Sequence, residues 1–295
     1  MGRSYLLLVF LITVCISCIK DNDNEECPEI VTIHLEYNST SQNKGLTDIL
    51  QVTDLFLFNE NEGFIKRYNY NRSQSLNQSG IALGKLPAGK YKLVTWLNLS
   101  ANTKVDPVEQ SGLANLKVHD AENSNFNHTT SDPLFHNTIS FEVKEKTNTD
   151  VYVPLRREYC TAKVIITGLP QQVNPSLGLT GASAAYDFLG TIISDNQLHS
   201  YTPVLNQDTK TGGYYASFNL FRPKMSDSLK LRLFDNNTQQ TIYDLDLSKV
   251  LKELGIDTEK DNDVDFEINL GFTSGILSIK VNDWYMTEDI IFAFI

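Results

Sequence analysis

The chain has 295 residues, 41% of them hydrophobic, and carries 36 acids against 25 bases for a formal charge of −11. That is enough apolar material for two ordinary cores or one large one. An acidic chain with no basic patch excludes nucleic acid as a partner class, because phosphate contacts need clustered Lys and Arg.

The chain opens MGRSYLLLVFLITVCISCIKDNDNEE. The apolar run from Tyr5 to Ile19 is 15 residues, short of the roughly 20 that cross hydrocarbon. It follows one basic residue, Arg3, and ends on small residues, so it reads as a secretory signal. Ser17 followed by Cys18 resembles the lipobox of bacterial lipoproteins, in which the cysteine becomes the new N-terminus and carries the lipid. Cys15 stands where that motif usually has Leu. The rival reading is a plain signal peptide with an incidental thiol. Lipidation at Cys18 implies a thioether-linked diacylglycerol and an amide-linked chain such as palmitate. Two chains already give stable anchoring. Ile19–Glu26 has four acids in eight residues and no apolar pattern, and reads as a solvated tether. Lys20-Asp21-Asn22-Asp23 resembles a signal for transfer to the outer face of the outer membrane.

Cys27 and Cys160 are the cysteines beyond this motif. An exported compartment permits a disulfide between them; two separate buried thiols are the alternative.

The body alternates apolar and polar residues in short runs between Asn, Gly, Pro or Asp. Strands are predicted over Ile30–Tyr37, Val52–Phe58, Lys90–Trp96, Thr138–Val143 and Asp150–Leu155. A second set covers Ala162–Gly168, Ala182–Leu189, Tyr214–Phe221, Ser228–Asp235, Gln240–Leu245, Val264–Leu270 and Ile276–Trp284. Helices are predicted over Pro107–Leu116 and Asp246–Leu254, the latter ended by Gly255. Asn69–Ser79 and Glu122–Thr130 read as polar surface loops. So many short strands argue an all-β protein with two sandwiches, divided near Leu155-Arg156-Arg157, which reads as a linker. The spans are 1–17 for the signal, 18–27 for the tether, and 28–155 and 156–295 for the two sandwich domains.

Several segments resemble one family in a shared order. LGKLPAGKYKLVTWLN (Leu83–Asn98), SDPLFHNTISFEV, VYVPLRREYCTAKVIITGL and ILSIKVNDW resemble FimB-type fimbrillin-associated anchor proteins of type V pili. The matches span nearly the whole body. The chain departs from the family in having Leu97 and His136-Asn137 where Gly is frequent. The resemblance implies two tandem transthyretin-like, Greek-key β-sandwiches. It also implies a lipid-anchored accessory subunit that tethers pilin fibres to the outer membrane by strand exchange. Edge pairing of that kind fills open backbone hydrogen bonds while alternate side chains enter a groove.

No catalytic constellation stands out. His34, His119, His128, His136 and His199 do not pair at metal-ligand spacing, and neither a nucleophile elbow nor a phosphate loop occurs. Asp261-Asn262-Asp263-Val264-Asp265 lacks the Gly and Glu of a calcium loop and reads as an acidic turn. Trp96 and Trp284 read as core, and Tyr214-Tyr215 as the exit of a Gly212-Gly213 hairpin turn. The closing segment Ile276–Ile295, with its apolar IIFAFI end, is the candidate subunit contact. The rival functions are a surface lipoprotein adhesin that binds glycan or protein, and a tip subunit of the same pilus. Neither an enzyme nor a cofactor is expected.

Overall fold

A computed structural model describes residues 30–38, 45–77, 79–100, 102–108, 112–120, 127–183, 185–193, 199–261, 264–273 and 276–289. Strands β1 (Val31–Glu36), β2 (Val52–Asn59), β3 (Phe64–Asn71), β4 (Ile81–Gly84) and β5 (Gly89–Leu97) come first. The short β6 (Thr103–Val105), β7 (Lys117–Asp120) and β8 (Asn127–His128) follow. Next come β9 (Phe135–Val143), β10 (Thr149–Pro154), β11 (Arg156–Arg157), β12 (Tyr159–Thr167) and β13 (Pro175–Ala182). Then β14 (Ala185–Asp187), β15 (Ile192–Ile193), β16 (His199–Tyr201) and β17 (Asn206–Gln207) precede β18 (Tyr214–Phe221) and β19 (Lys230–Asp235). β20 (Gln240–Asp246), β21 (Asp265–Thr273), β22 (Ile276–Val281) and β23 (Trp284–Asp289) close the series.

The fold is all-β and built as two sandwiches. In the first, sheet β10-β1-β4 packs on β11-β9-β5-β2-β3. The period of two puts Val31, Ile33, Val151 and Val153 against Leu55, Leu57, Leu93 and Phe135. In the second, β17-β18-β12-β21-β22-β23 packs on β20-β19-β13-β16-β8. Val164, Ile166, Phe218 and Ile268 there meet Leu177, Leu179, Leu231 and Leu233. One pattern recurs in both. β1 lies between a parallel β10 and an antiparallel β4, and β12 lies between a parallel β21 and an antiparallel β18. A first strand that pairs in parallel with a late one requires a long return connection, which is the Greek-key device. The second sandwich then adds the hairpin β22–β23 beyond β21.

A third core locks the halves together. β2 is buried at consecutive positions from Thr53 to Phe58, so both its faces are covered. Leu55 and Leu57 enter the first core, while Phe56 and Phe58 point the other way. There they meet Trp96, Leu116, Val118, Tyr186 and Phe188. Phe188 stands edge-on to Phe56 at 4.8 Å between ring centres. A small sheet, β15-β14-β7-β6, mixes strands from the two halves of the sequence, and β8 joins β16 of the second sandwich.

The structure corrects four local expectations. Among its described residues Pro107–Leu116 holds a 3-10 turn, Leu113–Asn115, rather than an α-helix; residues 109–111 lie outside the described residues. The polar stretch from Asn69 is not a loop throughout: β3 runs to Asn71, whose side chain caps a short helix, Arg72–Ser75. Ala182–Leu189 is divided between the end of β13 and β14. Arg156-Arg157 is not a free linker but a strand paired to β9. The helix Leu247–Leu254 does form, capped by Asp246 and closed by Gly255 in the left-handed region at φ 69°. Among the described residues no helix is long and apolar enough to cross a membrane.

Candidate functional site

The junction between the sandwiches gathers a group of buried polar residues, His136, Arg157, Glu158, Arg222 and Thr258. Chain order puts it there: β10 ends at Pro154, β11 pairs back onto β9, and β12 starts the second sandwich. Arg222, 1% exposed, donates through Nε to the Thr258 carbonyl at 2.6 Å and through Nη1 to the Arg157 carbonyl at 3.0 Å. Its Nη2 donates to the Asp261 carbonyl. The Tyr186 hydroxyl donates to the Glu158 carbonyl at 2.5 Å and accepts from the Arg222 amide at 2.8 Å. Burial pushes the Glu158 carboxyl up to about 7, against the pull of Arg156 and Arg222. His136 packs on Trp96 at 4.4 Å, and burial lowers its imidazole to about 3.

Beside this buried network, a cleft of about 690 Å³ opens between the first sandwich and the outer face of the six-stranded sheet. Tyr37, Gln51 and Pro133 form one wall; Thr161, Ser217 and Asn282 belong to the other. Its charges are paired within the wall. Arg157 bonds Asp265 at 2.5 Å and lies over the Tyr159 ring at 4.0 Å, and Lys163 meets Glu267 at 3.4 Å. The arrangement offers polar hydrogen-bonding groups and ring faces.

Cys18 and Cys27 lie outside the described residues. Cys160 is a wholly buried thiol in β12, which burial pushes up to about 12, so it is poorly nucleophilic. His34 faces outward, stacked on Tyr152 at 4.8 Å and 2.9 Å from Asp150. His119 lies 3.4 Å from Asp106, while His128 and His199 fall on short strands. Among the described residues no three His, Cys, Asp or Glu side chains gather where a metal ion could be held. Asp261 accepts from the Asp257 amide in a turn; Asn262 and Asp263 lie outside the described residues. Trp96 is fully buried, and Trp284 is half-buried with its indole donating to Glu253 at 2.8 Å. Tyr214 does follow a hairpin turn, closed by Asp208 and Gly213.

The two ends of the described chain lie at opposite ends of the sandwiches. β1 runs from Val31, opposite Thr149 at the far end of the first sandwich, to Glu36, opposite Pro154 at the junction. β12 leaves the junction, β21 runs parallel to it, and β22 returns. β23 runs out again, so Asp289 stands opposite Ile276 at the far end of the second sandwich. The segment Ile276–Ile295 is therefore a hairpin up to Asp289; residues 290–295 lie outside the described residues.

Comparison with solved structures places the fold. A candidate polysaccharide-binding protein from Bacteroides thetaiotaomicron is 14% identical, with a TM-score of 0.73 over 89% of this chain and 98% of that one. A candidate adhesin from the same organism is 16% identical, with a TM-score of 0.69 over 90% and 99%. The fimbrial anchor protein Mfa2 from Porphyromonas gingivalis is 15% identical, with a TM-score of 0.67 over 88% and 99%. No curated protein matches the chain in sequence. The family model for fimbrillin-A associated anchor proteins Mfa1 and Mfa2 matches residues 24–289. This chain therefore belongs to the family of fimbrillin-A associated anchor proteins, whose signature runs through both sandwiches and the junction between them.

Proposed function

We propose that the chain is a lipid-anchored accessory subunit that tethers a fibre of pilin subunits to the outer membrane by strand exchange. The observation that carries this is polarity within a family of fimbrial anchors. The tether enters next to Ile30 at one end of the molecule, and the chain leaves after Asp289 at the other. Cys18 carries the acyl chains, residues 18–27 form the spacer, and residues 28–155 and 156–295 are the two modules. β1 and β12 already fill the central place of their sheets. The chain is accordingly the donor, and its strand is the apolar run IIFAFI that follows Asp289. Left unpaired, such a run is an aggregation hazard; a partner's open edge removes it.

Cys27 and Cys160 stay unbridged on this reading. Cys160 lies at the junction, while Cys27 is three residues before Ile30 at the far end. Three extended residues reach about 10 Å, and β1 alone separates the two ends by about 17 Å.

Two variants test the two ends separately. Cys18→Ser should lose radiolabelled fatty acid and release the protein from the membrane fraction. Deleting residues 290–295 should leave the protein on the membrane and shed fibres from the cells. Fibre retention equal to the parent in the deletion strain would refute the donor role. Unchanged membrane binding of Cys18→Ser would refute the anchor.

A further inference from the structure

The outer face of the six-stranded sheet carries a feature that tethering does not use. Strand register aligns one row of side chains across all six strands. Asn206 pairs with Tyr215, Tyr215 with Ile165, Ile165 with Asn269, Asn269 with Lys280, and Lys280 with Tyr285. Directly opposed residues share a face, so all six point outward together. Tyr215 is 48% exposed and Tyr285 64%. The two rings are four strand spacings apart, about 19 Å. Between them lie an amide and an amine, with only Ile165 apolar.

The row also runs beside the cleft. Lys163 and Glu267, which line the cleft, sit two residues back along the same strands, a step of about 7 Å. Beyond them Gln51 and Pro133 of the first sandwich rise as a side wall. The open face is thus bounded along one side of the row by polar groups.

The chemistry of this face selects a class of ligand. A protein interface would need a contiguous apolar centre, and here the two rings are isolated from each other. A polyanion would need clustered unpaired cations, yet the row holds one, Lys280, and the cleft's Arg157 and Lys163 are held by Asp265 and Glu267. Pyranose rings present an apolar C–H face and a rim of hydroxyls, which match an exposed tyrosine ring and neighbouring amides. We propose that this face binds a neutral polysaccharide, laid across the strands from Tyr215 to Tyr285 with its hydroxyls towards the cleft. The proposal goes beyond the tethering role and does not depend on it.

Affinity gel electrophoresis tests it with the full chain purified in a non-ionic detergent. Gels are cast with mannan, xylan or mixed-linkage β-glucan, with heparin as the charged control. At least one neutral polymer should retard the chain, and raised salt should leave that retardation in place. The double variant Tyr215→Ala/Tyr285→Ala should weaken it roughly tenfold or more, as two aromatic contacts supply, and each single variant less. Both side chains are exposed, so an unchanged melting temperature separates lost binding from lost folding. No retardation by any of the three neutral polymers overturns the proposal. So does retardation that survives the double substitution, or retardation by heparin alone that salt abolishes. None of these results bears on membrane anchoring or fibre retention, which are read on cells.

Discussion

Glu158 and His136 lie in the same buried junction and titrate in opposite senses. Glu158 holds its proton more tightly folded, at about 7 against an ordinary 4.5. Its contribution to stability is present below about 4.5 and lost as pH rises through about 7. His136 stays neutral when folded, at about 3 against an ordinary 6.5. Its contribution is present above about 6.5 and lost as pH falls towards 3. Between those limits the two offset each other. Replacing Glu158→Gln removes one side, so its stability advantage over the parent should grow by roughly 2–3 kcal/mol from pH 5 to pH 8. Thermal melts at the two pH values measure this; an advantage equal at both would show that Glu158 is not the titrating group. The thiols make a second residue-scale prediction. Unfolding without reductant, then maleimide labelling and peptide mapping, should find Cys27 and Cys160 each labelled. A linked peptide pair would mean that the N-terminal segment crosses to the junction.

Among the elements, the strands with clean alternation were legible before any coordinates, because one dry face and one wet face impose a period of two. β1, β10 and β18 show it, whereas β5 is buried on both faces from Leu93 to Leu97. The helix Leu247–Leu254 was legible as well, from Leu247, Val250 and Leu251 on one face and Gly255 beyond. Its cap is Asp246, which accepts from the Lys249 amide at 3.0 Å; Ser248 instead serves the Leu229 amide and the Asp227 carbonyl. Asp246→Ala should therefore cost about 1 kcal/mol in chemical denaturation, and Ser248 must keep its own bonds if the cap alone is responsible. β3 was hidden because it is an edge strand: FIKRYNYN has polar residues on both faces, which solvent permits and a central strand would not. β6 and β7 were hidden by their shortness, since Thr103–Val105 and Lys117–Asp120 gain order from the small shared sheet rather than from their own pattern. Of the candidate site, Cys18 rests on its motif alone and lies outside the described residues. The cleft was not readable at all, because its walls gather residues from separate segments between Tyr37 and Asn282 that only the fold brings together. One neglected signal existed: Leu55–Phe58 is apolar at four successive positions, which a strand wetted on one face does not tolerate.

For the whole molecule, that doubly buried strand decides how the sandwiches behave under load. On the proposed role, a molecule held at one end and pulled at the other transmits force through the junction. Two sandwiches joined by a paired two-residue strand alone would part there and unfold separately. Phe188 and Tyr186, from the second half of the sequence, instead pack on Phe56 and Trp96 of the first, while Arg222 binds the Arg157 carbonyl at the crossover. Gly190 follows Phe188 at φ 84°, and a Cβ there would overlap the His136 ring, so this segment seats directly on β9. The intact protein should accordingly unfold in one transition, with equal calorimetric and van't Hoff enthalpies. Phe188→Ala removes a fully buried ring from the shared core, worth about 3–5 kcal/mol, and it does so where neither sandwich's own core is touched. Scanning calorimetry should then resolve two transitions, one for each sandwich. A single transition that only moves to lower temperature would show that the junction's hydrogen bonds, and not the third core, make the two halves act as one.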